Sequence, residues 1–405
     1  MNRIKKISIS NYRSCVKTQF EVSENLTTLI GVNGSGKSNI LNALQLLKKI
    51  NQISSFIPYA KSQQHNRSTI DLLLDFDNET YNIIADIYYE INEENTEDVF
   101  NANLKLKNIT KNKNKWIEID QALFNAASYL EEDNIRTEYV IRTVASLTKK
   151  TKEDVIIIAK IIKFLRSISY YSATFFSDPT MCPNLIDLKD PKFKRFKNEN
   201  IPHEQFIYDL CMTSINYPKS YKNYINTVNQ NGIGLVDDIT WENYKTSNNS
   251  AKVKPGSKIV EIKRFRDIVI PIINIDGIIL YPWQLSEGTF KTLALIFYIL
   301  NDESDLLLIE EPEVCVHHGL LNSVIELIKL QSKYKQIFVS THSDYVLDKL
   351  KPENILLVKK NKEKGTFANS LTKSLSKNDF KALKEYLKEE GNLGEYWKEG
   401  GFGDE

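Results

Sequence analysis

The sequence predicts an α/β fold with a mixed central sheet, an antiparallel β subdomain and a helical insertion. A short apolar strand, Leu26–Ile30, leads through a glycine-rich loop into a helix with apolar residues at helical spacing. Strands of alternating polarity then occupy Thr69–Ile119, and a helical pattern occupies Gln121–Ile168. Strand patterns return after Ile259, including a continuous apolar run of the kind found in a sheet buried on both faces.

The composition is typical of a globular protein with several lobes. The chain has 405 residues, of which 41% are hydrophobic and 26% charged, and its net charge is +1. That charge creates no global field to attract nucleic acid, so DNA binding would need a local patch. No apolar run approaches the ~18 residues of a membrane helix, and we expect a cytoplasmic protein without membrane contact. The cysteines are scattered, which argues against a zinc site or a disulfide framework: Cys15, Cys182, Cys211 and Cys315.

The sequence pattern also predicts the individual strands and helices. Ile4, Ile7 and Ile9 alternate with polar residues, as in a half-buried strand. A helix is predicted over Ser38–Lys49, after the glycine-rich loop. The later predicted elements are strands at Ile268–Ile275, Gly277–Tyr281, Leu306–Ile309, Gln336–Ser340 and Asn354–Val358, and helices at Phe290–Leu300, Gly319–Gln331 and Lys377–Leu387.

These patterns divide the chain into four segments. Residues 1–119 form an N-terminal lobe with the glycine-rich loop and a β meander, and residues 120–257 form the helical insertion. Residues 258–390 form a C-terminal lobe. Residues 391–405 are rich in glycine and acidic residues, so we expect a flexible tail.

The glycine-rich loop has the chemistry of a phosphate-binding loop. Gly31–Ser38 reads GxxxxGKS between a strand and a helix, which is the context that such a loop requires. Its glycines let backbone N–H groups approach a phosphate, Lys37 reaches the β- and γ-phosphates, and Ser38 offers a hydroxyl to Mg²⁺. A chance match in a glycine-rich turn is the alternative. The candidate ATP-binding residues here are Asn33, Gly34, Ser35, Gly36, Lys37, Ser38 and Asn39.

Acidic residues follow the apolar strand Leu306–Ile309. In a parallel sheet this strand would present Glu310 and Glu311 at the edge where the phosphate loop also lies. We expect Glu310 to hold Mg²⁺ through a water molecule, and Glu311 to polarise the attacking water as a catalytic residue. An apolar run ending in acids is common by itself, and its meaning here depends on the upstream loop.

Two further segments are candidates for the site. Leu285-Ser286-Glu287-Gly288 precedes a helix, so its serine and N–H groups form a possible second anion site, although such a segment is often only a helix cap. His342 follows the strand Gln336–Ser340 and is the second catalytic candidate, through contact with the γ-phosphate or the attacking water. The alternative is an ordinary loop histidine.

These four motifs, in this order, resemble the ABC-type ATPase heads of the RecF, SMC and OLD group. The resemblance covers residues 1–50 and Tyr281–Val358, and Ile9–Ser14 is similar to the N-terminal signature of that group. It implies that Arg13 lies near the nucleotide, the alternative being a surface arginine. It also implies that ATP binds between two heads, with Ser286, Glu287 and Gly288 of one copy facing the phosphate held by Lys37 of the other.

The sequence departs from the pattern of this group at several positions. Glu310 stands where most relatives carry aspartate, and the run Glu-Glu-Pro-Glu resembles the OLD-like branch. Cys315 and His318 stand where relatives often carry histidine and proline, so we expect His317 and His318 to contact a dimer partner or begin a helix rather than bind metal. The glutamine of the group's Q-loop has three candidates, namely Gln63, Gln64 and the loop after Tyr171.

The remaining features point to a biological setting. The gap between Ser38 and Leu285 has no heptad pattern, which disfavours an SMC-like tether, and no DxD motif of a TOPRIM nuclease follows His342. The chain therefore resembles stand-alone ATPases of bacterial anti-phage defence and abortive-infection operons. The resemblance implies a homodimer or higher oligomer and a separate effector, a TOPRIM-like nuclease or a toxin. A RecF-like repair ATPase and an ATP-gated scaffold with little turnover are the alternatives.

Two basic segments leave DNA binding open. Lys189–Lys197 interleaves basic and aromatic residues, as contacts to single strands do, and Lys359–Lys364 is a second cluster. Solvated loops in a lysine-rich protein are the favoured interpretation of both.

Overall fold

The computed structural model of the protein divides by its contacts into two compact units. The first unit comprises Met1–Tyr171, Glu303–Glu311 and Ile328–Glu405, and the second comprises Ser172–Asp302 and Pro312–Leu327. The structure describes residues 2–48, 50, 67–91, 97–111, 115–129, 135–190, 202–254, 258–314, 316, 318–389 and 391–402.

The described ranges contain both strands and helices, with runs of consecutive strands and runs of consecutive helices. The strands are β1 (Arg3–Tyr12), β2 (Cys15–Glu21), β3 (Leu26–Ile30), β4 (Arg67–Phe76), β5 (Glu79–Ile91), β6 (Glu97–Asn108), β7 (Ile117–Ile119), β8 (Ser169–Ser172), β9 (Ile186–Asp187), β10 (Asp238–Lys254), β11 (Lys258–Ile275), β12 (Ile278–Leu280), β13 (Leu306–Glu310), β14 (Gln336–Thr341), β15 (Ile355–Asn361) and β16 (Gly365–Ser370). The helices are α1 (Lys37–Lys48), α2 (Gln121–Tyr129), α3 (Ile135–Thr148), α4 (Lys152–Ser167), α5 (Pro202–Asn216), α6 (Pro218–Val228), α7 (Glu287–Asn301), α8 (His318–Gln331), α9 (Asp344–Asp348), α10 (Leu371–Ser374), α11 (Lys377–Lys388) and α12 (Leu393–Lys398).

An antiparallel sheet in the first unit confirms the predicted meander. Its strand order is β2-β1-β4-β5-β6-β7. Alternate residues of β4 are buried from Ser68 to Phe76, as expected of a sheet with one face against a core. That core includes the apolar face of α4, whose first turn is capped by the Thr151 side chain accepting from the N–H of Asp154.

A second sheet in the first unit is mixed and carries the phosphate loop. Its order is β16-β15-β3-β14-β13-β8, with β15, β3, β14 and β13 parallel and β16 antiparallel to β15. All residues of β3 and β14 are buried. Ile30 pairs with Thr341, and Glu310 pairs with Ser340. The ends of β3, β14 and β13 therefore meet at one edge, which is the arrangement predicted from the motifs.

The two sheets of the first unit are joined by the side chain of Gln336. This side chain is fully buried. Its Oε1 accepts from the N–H of Ile4 at 2.9 Å, and its Nε2 donates to the Ile4 carbonyl at 2.9 Å and the Ser23 carbonyl at 3.1 Å. One amide thus bonds backbone groups of Ile4, at the start of β1, and of Ser23, just after β2.

The C-terminal segment differs from the flexible tail that we predicted. Residues 391–402 contain α12, and Leu393 and Phe402 are buried in a small apolar core of the first unit. The N–H of Gly394 donates to Asp348 Oδ1 at 2.7 Å. The prediction of a flexible tail was wrong for residues 391–402. Two buried apolar residues and the Asn392 helix cap are enough to hold this segment against the first unit, and such isolated residues produce no periodic pattern in the sequence.

The second unit combines helices with a long β-ribbon. Its sheet has the order β10-β11-β12, and β9 pairs with β11. Phe176, Phe206 and Phe290 form an aromatic cluster, and the ring of His203 stacks on Phe290 with centroids 5.3 Å apart. β10 was not predicted, since its residues from Glu242 to Ser247 are polar and mostly exposed and so lack alternation. Among the described helices, none is long and apolar enough to cross a membrane.

Candidate nucleotide-binding site

The phosphate loop lies between the buried strand β3 and the start of α1. Gly34 and Gly36 have φ angles of 79° and 108°, in the left-handed region that glycine adopts without strain. The N–H of Ser35 donates to the Val32 carbonyl at 3.1 Å and closes the turn. A Cβ at Gly31 would lie 2.2 Å from the Val358 carbonyl oxygen, so glycine is required there by space. The spacing of the glycines in the sequence thus reflects backbone geometry.

Lys37 is the first residue of α1 and its side chain turns back over the loop. The residue is buried, and its Nζ donates to the Gly31 carbonyl at 2.7 Å and the Val32 carbonyl at 3.3 Å. The ammonium is therefore held against the loop itself, beside the positive end of the helix dipole. Ser38 follows in the same helical turn and is partly buried. Both residues lie where an anion would meet several donors at once.

Glu310 ends β13 and is bonded by a tyrosine that the motifs did not reveal. The hydroxyl of Tyr170 donates to Glu310 Oε2. Tyr170 belongs to β8, which neighbours β13 in the mixed sheet. No local signal marks it, because the contact depends on strand order. In the sequence, Tyr170 is marked only by its position next to the loop after Tyr171, which is one of the Q-loop candidates. In that loop, residues Ala173–Phe176 form a 3₁₀-helix.

Glu311 and His342 lie together just beyond the ends of β13 and β14. Glu311 has a φ of 46°, which is uncommon for a residue with a side chain, and its N–H donates to the Ser340 carbonyl at 2.9 Å. His342 Nδ1 lies 3.4 Å from Glu311 Oε1. Both side chains are partly exposed, at 31% for Glu311 and 43% for His342, so water reaches the pair. The structure thus brings together the two predicted catalytic residues.

The donor set at this edge fits a nucleotide with Mg²⁺. Ser35 Oγ, in the loop, and Ser340 Oγ, at the end of β14, are buried without a hydrogen-bond partner in the described part of the chain. Ser38 and Glu310 provide oxygen ligands of the kind that Mg²⁺ prefers. Within the described residues no group of three or more His, Cys, Asp and Glu is placed to hold a metal by itself. That agrees with the usual Mg²⁺ site, which relies on one or two carboxylates and the substrate phosphates.

Arg13 and Asn39 lie at the side of the phosphate loop. Arg13 is exposed in the β1–β2 turn with a φ of 49°, and its guanidinium carbon lies 5.5 Å from the Tyr12 ring centroid. Asn39 Nδ2 donates to Ser14 Oγ at 2.6 Å. Nucleotide contact by Arg13 and Asn39 stays a prediction. In this structure the Asn39 amide is hydrogen-bonded to Ser14.

The segment Leu285-Ser286-Glu287-Gly288, which the sequence predicts as a second anion site, belongs to the second unit and caps α7. Ser286 Oγ accepts from the N–H of Thr289 at 3.1 Å, so the helix-cap interpretation is correct as a description of the local structure. Ser286 and Glu287 are nevertheless exposed, and the Glu287 carboxylate pairs with the buried Lys291 ammonium at 2.6 Å. The Gly288 carbonyl accepts from Thr292 Oγ1 at 2.7 Å. A rigid, solvent-facing helix N-terminus results.

Several other candidates are only partly described. Gln63, Gln64, Cys315 and His317 lie outside the described residues, and His318 begins α8. Of the first basic segment, Lys189 pairs with Asp267 at 3.0 Å, and residues 191–197 lie outside the described ranges. In the second, Lys359 Nζ donates to the Phe402 carbonyl at 3.3 Å. Lys189 and Lys359 thus each have a structural contact.

The chain is similar to an ATPase family and to several known proteins. A family model described as an AAA ATPase domain matches residues 3–347. The endonuclease GajA of Bacillus cereus is 22% identical over 359 residues, which are 85% of this chain and 56% of GajA. The DNA double-strand break repair Rad50 ATPase of Methanococcus maripaludis is 29% identical over 138 residues, 33% of this chain and 14% of Rad50. This chain thus spans about half the length of GajA.

A solved structure of an SMC head aligns with this chain over most of its length. An SMC head bound to the C-terminal winged-helix domain of ScpA covers 92% of this chain and 99% of its own, with a TM-score of 0.49 and 13% identity.

Proposed function

The chain belongs to the family of AAA ATPase domains, and from that premise we propose that it binds ATP on Gly31–Ser38 and hydrolyses it with Glu311 and His342. The observation that carries the proposal is the shared edge of the mixed sheet. The ends of β3, β13 and β14 meet there, so the loop, the acidic pair and the histidine come from neighbouring strands. This is where ligands bind in open α/β sheets.

Binding depends on the loop and on the N-terminus of α1. The loop N–H groups, the positive end of the helix and the Lys37 ammonium hold the triphosphate. Lys37 already lies at the loop, bonded to the Gly31 and Val32 carbonyls, so it needs only a small movement to reach a γ-phosphate. Because its side chain is buried, its charge acts in a medium less polar than water.

The residues that would hold Mg²⁺ are Ser38 and Glu310. When bound, the ion neutralises charge that develops on the β- and γ-phosphate oxygens. Ser38 would hold the ion through its hydroxyl, and Glu310 would hold it through its carboxylate. The Tyr170 hydroxyl orients the Glu310 carboxylate by the hydrogen bond that it donates. Partners of this kind tune the affinity of a metal site.

Glu311 and His342 act on the water that attacks the γ-phosphate. The Glu311 carboxylate accepts a hydrogen bond from that water and draws its proton away as the new P–O bond forms and the bond to the ADP oxygen breaks. His342, within 3.4 Å of Glu311, holds the carboxylate in place and contacts the γ-phosphate or the water.

ATP also controls assembly in this proposal. The nucleotide on Lys37 of one copy is contacted by Ser286, Glu287 and Gly288 of a second copy, so ATP favours a dimer or a larger oligomer and hydrolysis favours separation. Support comes from the resemblance to ABC-type heads and from the exposed N-terminus of α7.

We assign the chain the role of a sensor or regulatory subunit in bacterial anti-phage defence, acting on a separate TOPRIM-like nuclease or toxin. The support is the similarity to the endonuclease GajA over 85% of this chain. The second candidate is a RecF-like DNA repair ATPase, favoured by the similarity to Rad50.

Substitution of Lys37 tests the nucleotide site. We expect Lys37→Ala to abolish ATP binding, measured by calorimetry, and ATP hydrolysis, measured by phosphate release. The reason is that the variant lacks the main cation of the loop. Lys381→Ala is the matched control, since the Lys381 side chain is 79% exposed on α11. Unchanged ATP binding by a folded Lys37→Ala protein would show that the loop is not the ATP site.

A DNA-binding measurement separates the two candidate roles. Binding of duplex DNA that persists at physiological salt would favour the repair role over the defence role.

A further inference from the structure

We infer that Thr366 is a positioning residue for the phosphate loop, whose hydroxyl fixes the peptide between Ser35 and Gly36. The inference rests on the proposed role of Gly31–Ser38 as that loop. Thr366 lies in β16, beyond the matched range of the family model, which ends at residue 347. It is far from the loop in sequence and in direct contact with it in space.

Thr366 is linked to the loop by a chain of hydrogen bonds. Its side chain is fully buried, and Oγ1 donates to the Ser35 carbonyl at 2.9 Å. Oγ1 also lies 2.7 Å from Ser14 Oγ, and Asn39 Nδ2 donates to Ser14 Oγ at 2.6 Å. A hydroxyl has one proton, and that of Thr366 is used on Ser35, so Ser14 must donate to Thr366. The direction of the chain is therefore set, from Asn39 through Ser14 and Thr366 to Ser35.

The position of Thr366 is itself held by the backbone. Its N–H donates to the Ser14 carbonyl at 2.7 Å, and its carbonyl accepts from Thr18 Oγ1 at 2.5 Å. The preceding Gly365 has a φ of 75°, and a Cβ there would lie 2.4 Å from the Ser14 carbonyl oxygen. The tip of the β15–β16 hairpin is thus held against the β1–β2 turn by hydrogen bonds and close packing.

The loop packs directly on this hydroxyl. A Cβ at Gly36 would lie 2.1 Å from Thr366 Oγ1, so the glycine of the motif lets the loop settle against Thr366. In a trans peptide the carbonyl and the next N–H point in opposite directions. Holding the Ser35 carbonyl towards Thr366 therefore directs the Gly36 N–H away from it. That N–H is one of the groups that a phosphate loop presents to its ligand.

Conservative variants separate positioning from simple stabilisation. Thr366→Val keeps the shape of the side chain and removes the hydroxyl, and we expect the Kd for ATP to rise about tenfold, the effect of losing one buried hydrogen bond. Thr366→Ser keeps the hydroxyl and should restore wild-type affinity. Thr28→Val is the matched control, because Thr28 is fully buried in β3 and its hydroxyl has no hydrogen-bond partner in the described structure.

Each outcome decides the matter. A raised Kd in Thr366→Val, with rescue by serine and no effect of Thr28→Val, supports the inference. An unchanged Kd with a lowered melting temperature makes Thr366 merely structural and overturns it. If Thr366→Val does not fold, Thr366→Ala, which also removes the hydroxyl that donates to the Ser35 carbonyl, takes its place beside Thr366→Ser. A raised or unchanged Kd then supports or overturns the inference in the same way. Lys37→Ala, measured in parallel, reports separately on whether the loop binds ATP.

Discussion

His342 Nδ1 lies 3.4 Å from Glu311 Oε1, and the two residues follow neighbouring parallel strands, β14 and β13. Glu311 reaches this position through a left-handed backbone conformation, and its N–H is bonded to the end of β14. A carboxylate and an imidazole are thereby placed at the sheet edge from which the phosphate loop also starts. The pair is partly exposed, so an attacking water has access to it.

Glu311→Gln should slow ATP hydrolysis and leave ATP binding intact. The amide keeps the shape of the carboxylate but cannot take a proton from water, so we expect kcat to fall by about 10²–10⁴-fold. Steady-state phosphate release and equilibrium ATP binding measure the two effects. Glu385→Gln, at a side chain 64% exposed on α11, is the control. Wild-type turnover in Glu311→Gln would contradict the catalytic assignment.

Tyr170→Phe should raise the Mg²⁺ concentration that the ATPase activity requires. Without the hydroxyl that orients it, the Glu310 carboxylate would hold Mg²⁺ less firmly. The Mg²⁺ concentration for half-maximal ATPase activity should rise about 10–100-fold, as for other outer partners of metal sites. Tyr139→Phe is the control, because Tyr139 is 71% exposed. An unchanged Mg²⁺ requirement, with normal folding, would show that Tyr170 does not support this site.

Gln336→Leu should destabilise the first unit. The substitution removes three hydrogen bonds to backbone groups at Ile4 and Ser23, at a fully buried position. Unpaired buried groups cost about 1–3 kcal/mol each, so we expect the free energy of unfolding to fall by several kcal/mol in urea titrations. Gln19→Leu, on an exposed position of β2, should have little effect. Equal stability of the two variants would mean that Gln336 does not join the sheets.

His203 should make stability sensitive to acid. Burial lowers the pKa of His203 below its usual 6.5, partly opposed by its hydrogen bond to the Ser177 carbonyl. The unfolded chain then takes up a proton at higher pH than the folded one, so stability is lost as the pH falls through 6.5. His203→Phe should flatten this dependence in urea titrations across that range. A slope that is equally steep in the variant would assign the acid sensitivity to other groups.

The sequence predicted those parts of the site that lie in local motifs. Gly31–Ser38, Glu310 and Glu311 sit on elements whose apolar patterns are strong, so parallel strands place their ends together. Tyr170 and Thr366 could not be predicted, because each acts on a residue that is distant in sequence. Tyr170 contacts Glu310, 140 residues away, and Thr366 contacts Ser35, 331 residues away. β10 escaped it because an exposed ribbon has no buried face to impose alternation.

The molecular mass of Glu311→Gln in solution, with and without ATP, tests the proposed switch most directly. Light scattering should give one chain without nucleotide and at least two with Mg²⁺ and ATP, because the variant binds ATP but cannot hydrolyse it. Adding Ser286→Asp should return the protein to one chain. Aspartate still caps α7, but its charge would face the γ-phosphate of the other copy. A Glu311→Gln protein that is saturated with ATP and remains a single chain would contradict the account.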